Sequence, residues 1–339
     1  MEDSMPNVHV GEVSDLSSDL SPDPGLFEST TDRSSGFVYA SVESLIYPST
    51  WDDEVDIQTS IAKARVDGYE VAGDRVDSFV KQTLNAFLSH LPNQGKLVLC
   101  EEIMRCASDD QLYAVYCQLK DCVLLPMLIR TPDDEAKLHD KKQRQLHEQC
   151  LNRDGDACVA TRIMDTVRYH DQSQPDERVE GLTDAVYIVP RPYEEYHGSI
   201  DEDSGSILVS SAWLALRRYF PSTAGALDPR TVRSPGNMLT LWDELAKEWD
   251  RFGVSLEPTA VSNHYIFKVH PRCEGDFSEL ADTTVQMKQG DSGQTISLPH
   301  MELIRVHHII AAILAQSGIT EYLQSILFKR KNMDAREAD

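Results

Sequence analysis

The histidines are the most versatile chemical groups in this sequence, and there are eleven of them. An imidazole titrates near neutrality, so it can take or give a proton at working pH. His264 and His270 bracket the run "HYIFKVH". They are six residues apart, share one face of a regular strand, and are candidates for acid–base work in a pocket. His307 and His308 are adjacent on a helical pattern and therefore face different ways. His170 and His197 lie in polar stretches. Glu194 and Glu195, between Tyr193 and Tyr196, read as an exposed acidic loop. No GxxxxGK[ST], HExxH, GxSxG or GxGxxG is found, so phosphate-loop, zincin, hydrolase-elbow and dinucleotide-binding chemistries lose their usual signatures. Seven cysteines, at 100, 106, 117, 122, 150, 158 and 273, form no CxxC pair. They read as free thiols in a reducing compartment.

These groups must be positioned by a chain of 339 residues, 41% hydrophobic and 26% charged, which suffices for a large core. Residues 1–36 are rich in Ser, Asp, Pro and Gly and are expected to form a disordered acidic tail. Residues 37–132 are expected to be helical. "DRVDSFVKQTLNAFLSHL" repeats apolar residues at three- and four-residue steps, and Ser108-Asp109 starts a further helix that Pro126 and Pro132 end. "DDEAKLHDKKQRQLHEQCLNRDGD" reads as a charged, largely exposed helix. "ACVATRIM" and "TDAVYIVP" read as short β-like runs, the second closed by Pro190. "GNMLTLWDELAKEWDRFGVSLEP" passes from loop to helix to strand, "NHYIFKVHP" alternates as a strand, and "GQTISLP" is a candidate strand. A long amphipathic C-terminal helix follows, with a candidate break at Gly318, and residues 329–339 form a charged tail. The fold class is α+β.

Net charge is −24. Phosphate backbones are bound by basic surfaces, so nucleic acid is not an expected partner. No apolar run reaches the roughly 18 residues of a membrane span, and no secretory or transit signal is evident. The chain is expected to be intracellular, cytoplasmic or nuclear, without a membrane partner. Its oligomeric state is left open.

Three segments in fixed order carry a resemblance: "CLNRDGDACVATRIMD", "TDAVYIVP" and "GNMLTLWDELAKEWDRFGVSLEP". Together they resemble the HNH endonuclease domain in its fungal form, on Cys150, Arg153, Asp154, Cys158 and Thr161, then Val186 to Pro190, then Asn237, Leu239, Leu241, Trp249 and Asp250. The resemblance spans roughly residues 75–328 and places an HNH-like domain with its C-terminal helix at 133–328. It implies a central ββα unit with extra strands, an N-terminal helical bundle and a long C-terminal helix. In that family a strand histidine is the general base, a helix histidine ligates one divalent metal, and an Asn braces the loop. Here Tyr187 occupies the general-base position, and a phenol with a pKa near 10 is a poor base at neutral pH. Ala246 occupies the helix-ligand position and cannot bind metal. Asn237 keeps its structural place, and Asp184 stands three residues before Tyr187, able to face the old metal site.

The resemblance implies a nuclease scaffold that has lost its base and its metal ligand. The expected function is metal-independent acid–base chemistry, an isomerisation or cyclisation of a small organic molecule in fungal secondary metabolism, without cofactor or metal. The expected catalytic groups are Tyr187, Asp184, His264 and His270, with Asn237 structural. A non-catalytic interaction protein is the first alternative, and a divergent metal-dependent HNH endonuclease the second.

Overall fold

The computed structural model describes residues 50–70, 78–129, 141–171, 179–190, 193, 197–200, 207–209, 211–228, 231–290 and 295–337. The tail expected over 1–36 lies outside the described residues. The first helices bury the stripes that their sequence spacing demands. Helix α1 (Thr50–Asp67) turns Val55, Thr59, Ala62 and Val66 inward. Helix α2 (Val80–His90) buries Val80, Leu84, Phe87 and Leu88. Helix α3 (Asn93–Arg105) follows the Pro92 break, and α4 (Asp109–Leu119) starts where Ser108 Oγ accepts the Gln111 N–H at 3.4 Å. The chain then widens into a π turn (Lys120–Leu124) before α5 (Leu125–Leu128), because Pro126 has no N–H to continue the ladder.

Helix α6 (Lys141–Asp154) is not the exposed helix that its charge suggests. It buries Gln143, Leu146, Cys150, Leu151, Arg153 and Asp154. Beyond it, "ACVATRIM" is mostly a tight turn rather than a strand. Gly155, Asp156 and Arg162 take positive φ, and only strand β1 (Met164–Asp165) forms at its end. After α7 (Thr166–Asp171), β2 (Glu180–Gly181) pairs in parallel with β1. Strand β3 (Thr183–Tyr187) comes next. Strands β4 (His197–Ile200) and β5 (Ile207–Val209) form a hairpin where an acidic loop was expected. Tyr193 in the same stretch is buried, edge-on to Trp213, while Glu194 to Tyr196 lie outside the described residues.

Helix α8 (Ser211–Tyr219) packs on α3 so closely that a Cβ on Gly95 would stand 1.9 Å from the Tyr219 carbonyl oxygen. The segment "MLTLW", expected to be loop, is strand β6 (Met238–Trp242). It pairs antiparallel with β3, Tyr187 opposite Met238 and Asp184 opposite Leu241. Helix α9 (Asp243–Asp250) follows at once, with Asp243 and Glu244 favourably placed in its first turn. Strands β7 (Val254–Pro258), β8 (His264–Val269) and β9 (Thr284–Gln286) make an antiparallel sheet. In the candidate strand "GQTISLP", residues 295–299 are not strand, and the rest lies outside the described residues. The long C-terminal helix breaks at the candidate position, Gly318, into two helices. Helix α10 (Met301–Ser317) stops at Gly318, whose φ of 64° suits a residue without Cβ, and α11 (Thr320–Glu337) leaves at 102°. The fold is α+β, and among the described residues no single helix is long and apolar enough to cross a membrane.

One buried cation organises the centre of this arrangement. Arg153 is 0% exposed and grips Asp154 through both arms, Nε to Oδ1 and Nη2 to Oδ2, each at 2.7 Å. Its Nη2 also donates to the Met238 carbonyl at 3.0 Å, and its Nη1 to the carbonyls of Pro235 and Ser297. Asp154 Oδ2 accepts the Thr240 N–H at 3.1 Å. Burial alone would lower the Arg153 pKa, but the Asp154 partner outweighs it and holds the guanidinium above its ordinary value. Removing one partner of a buried pair strands the other charge, so Arg153→Met is expected to cost about 3–5 kcal/mol. Urea denaturation measures this, and a loss under about 1 kcal/mol would contradict the assigned role.

Candidate functional site

The strand that carries Tyr187 also determines what Tyr187 can touch. Alternation along β3 puts Thr183, Ala185 and Tyr187 on one face and Asp184 and Val186 on the other. Ala185 and Tyr187 pack with Leu146, Cys150 and Met238, under helix α6, whereas Val186 joins the main core with Leu239 and Leu241. Tyr187 Oη donates to Gln143 Oε1 at 2.8 Å, and its carbonyl accepts from Trp249 Nε1 at 3.1 Å. The phenol is thus a strut between hairpin and helix, and Asp184 points away from it. The neighbouring Cys150 thiol is pushed up to about 12 by burial and is inert. Ala246 is a core residue of α9.

Asn237 clamps the turn after β3. Its Oδ1 accepts the Val189 N–H at 2.9 Å, and its Nδ2 donates to the carbonyls of Val189 and Val232 at 2.8 and 3.0 Å. The Asn237 carbonyl also accepts from Ile188. These bonds fix the turn that follows β3.

The other two candidates lie on β8, at opposite ends of a strand about 20 Å long. His264 opens it and donates from Nδ1 to the Ser262 carbonyl at 2.9 Å, a local turn contact. His270 lies just past its end, held by a main-chain bond from its N–H to the Gly253 carbonyl at 2.8 Å. The structure therefore does not gather Tyr187, Asp184, His264 and His270 into one site. Of the four, His270 lies in a polar cluster with Ser255 and His308.

That cluster centres on Ser255. Register places Ser255 opposite Lys268, so both residues face the same way across β7 and β8. Ser255 Oγ lies 2.8 Å from His270 Nε2 and 2.9 Å from His308 Nδ1. The two ring centroids are 6.3 Å apart. Ser255 is fully buried, while both imidazoles are half-buried. Among the described residues, neither imidazole has a partner at its second nitrogen. A serine hydroxyl has one proton to donate, so it donates to one imidazole and accepts from the other. The three side chains form a single proton line: ring N–H to Oγ, and Oγ–H to the other ring.

The charged form of both imidazoles is disfavoured. Burial first, then the charges of His308, His90 and Lys268, press the His270 pKa down to about 4. Burial likewise lowers His308, against the pull of Glu257 and with help from His90, Lys268 and Arg305. His90, from α2, is anchored by a 2.7 Å hydrogen bond between Nε2 and Gln316 Oε1 of α10.

His308 is aimed by its neighbour. His307 stacks on Trp249 at 3.7 Å between centroids and on Phe252 at 4.5 Å, and its Nε2 donates to the Trp249 carbonyl at 3.1 Å. Phe252 holds φ at 59°, an unfavourable conformation for a bulky residue that the buried stack offsets. With His307 fixed between α9 and α10, His308 is turned onto β7. Sequence reasoning noted His308 but saw nothing to pair it with, and it missed Ser255 and His90. The one available signal was Ser255 within an otherwise apolar buried run, "VSL". Among the described residues, no group of three or more His, Cys, Asp and Glu side chains is arranged to hold a metal ion.

A strut and a catalyst respond differently to loss of a hydroxyl. Tyr187→Phe removes one half-buried hydrogen bond to Gln143 and should cost about 1 kcal/mol of stability. Chemical denaturation checks this, and an unchanged midpoint would show that the phenol carries no load.

The chain matches no protein-family model, no curated protein and no solved structure.

Proposed function

We propose that this protein is a metal-independent acid–base catalyst acting on a small organic molecule, an isomerase or cyclase, on a scaffold similar to the HNH endonuclease domain. Its reacting groups are His270 and His308, joined through Ser255, in place of Tyr187 and Asp184. The observation that carries the reading is the hydroxyl bridging two neutral, half-buried imidazoles. The order of β3, β6 and α9, with Asn237 clamping the turn, supports the scaffold part of the proposal.

The bridge supplies an acid and a base together. With protons on His270 Nε2 and His308 Nε2, the outer nitrogen of His270, Nδ1, is bare and the outer nitrogen of His308 carries a hydrogen. A substrate gives one proton to His270 Nδ1 and takes one from His308 Nε2. Inside, His270 Nε2–H passes its proton to Ser255 Oγ, whose own proton moves to His308 Nδ1. One proton enters and one leaves, no charge accumulates, and both rings end as the opposite tautomer. That is the proton inventory of an isomerisation, and it suits a site in which charged imidazoles are disfavoured.

The test is chelator-treated protein in deuterated water with a panel of enolisable carbonyl compounds and polyenes, followed by mass spectrometry. Deuterium incorporation or isomer formation is expected, and it should fall at least about 100-fold in Ser255→Ala, His270→Gln and His308→Gln. Tyr187→Phe should retain it. Turnover that needs Tyr187 but not Ser255 would overturn the assignment. Magnesium-dependent plasmid cleavage lost on Asp184→Ala would favour the nuclease reading instead.

A further inference from the structure

The same cluster joins three elements that share no other polar junction of this kind among the described residues. Ser255 belongs to β7, His270 to the end of β8 and His308 to α10, and α10 packs against both β7 and α2. We infer that Ser255, His270 and His308 form an acid-sensitive latch that holds α10 on the β7–β8 sheet and releases it when the imidazoles are protonated.

A doubly protonated imidazole donates from both nitrogens, so once both rings are charged Ser255 Oγ faces two donors and its own proton has no acceptor there. Its two lone pairs can take both donors, but the hydroxyl proton is then buried without an acceptor, 0% exposed and unable to turn to water, which penalises the closed form. Charge adds to this. The groups facing the cluster are His90 from α2, Glu257 from β7, Lys268 from β8 and Arg305 from α10. Lys268 is shared between Glu257 at 3.2 Å and Asp282 at 2.8 Å, and Arg305 is met by Glu302 at 3.3 Å. Charging His270 and His308 therefore adds two positive charges beside Lys268 and Arg305, where the nearby carboxylates of Glu257, Asp282 and Glu302 already have basic partners. Like charges on α10 and the sheet then repel across their common seam.

The direction with pH follows. Both imidazoles have pKa values in the closed form below the ordinary 6.5, so an opened form takes up protons first. The closed form has its full advantage above pH 6.5 and loses it as pH falls toward the folded value of His270, about 4. This inference rests on the geometry of the cluster and not on the catalytic reading.

The experiment is hydrogen–deuterium exchange of the full chain by mass spectrometry at about pH 7.5 and about pH 4.5, corrected for intrinsic rates. Residues 301–317 are expected to gain at least about tenfold in exchange at the lower pH while α3 and α8 stay protected. The double variant His270→Gln, His308→Gln should remove the gain. If that variant does not fold, His90→Gln should shift the opening midpoint to lower pH by several tenths of a unit. Equal protection of α10 at both pH values, or a gain spread evenly over all helices, would overturn the inference. Because the readout is exchange and not turnover, a chain without isomerase activity can still show the latch.

Discussion

The buried Arg153–Asp154 pair is the constraint on which the central architecture depends. Two of Arg153's bonds grip Asp154, and three more tie the end of α6 to the turn before β6, to the β6 backbone and to the strand-free segment at Ser297. Such a pair gains little over a well-packed apolar core, but once present it demands one arrangement, because every lone pair and donor must be met. The order of events that it fixes can be followed residue by residue. Arg153 holds Met238, and Met238 lies opposite Tyr187. The Tyr187 carbonyl takes the Trp249 indole, Trp249 carries the His307 stack, and His307 turns His308 toward Ser255. A structural ion pair and a candidate proton relay are thus joined by a short series of direct contacts.

The β3–β6 pair and the Ser255 cluster differ in how their polar groups are engaged. The β3–β6 hairpin is closed on one face by Leu146 and Cys150 and braced at its turn by Asn237, and its phenol is engaged by Gln143. These contacts make it a rigid base. The relay lies on the neighbouring sheet, where polar groups are paired to each other but retain second ring nitrogens. The proposed chemistry would thus use proton donors and acceptors on one sheet while the β3–β6 pair stays rigid.

Much of the fold was legible because burial follows period. The stripes of α2 and α4, the inward Tyr265 and Phe267 of β8, and the turn at Gly318 are local signals, and each is found where the spacing puts it. The errors have physical causes. Helix α6 reads as exposed because Arg153 and Asp154 are charged, and composition cannot show that each is the other's solvent. "MLTLW" lacks alternation because β6 is covered on both faces, so a strand reads as loop. The site was the least legible part. Ser255, His270 and His308 are brought together by β7–β8 pairing and by α10 docking, over separations of 15 and 53 residues. His264 and His270 obey the strand period, but six residues along β8 carry them to opposite ends.

The central claim is that one hydroxyl carries a proton between two neutral imidazoles, and nitrogen-15 NMR of labelled histidines tests it most directly. Because Ser255 meets Nε2 of His270 and Nδ1 of His308, the line is complete only when both rings hold the same tautomer. The account predicts two neutral rings at about pH 6.5, both Nε2–H or both Nδ1–H, with signals that change together in Ser255→Ala. Rings of opposite tautomer, or a charged ring at that pH, would contradict it.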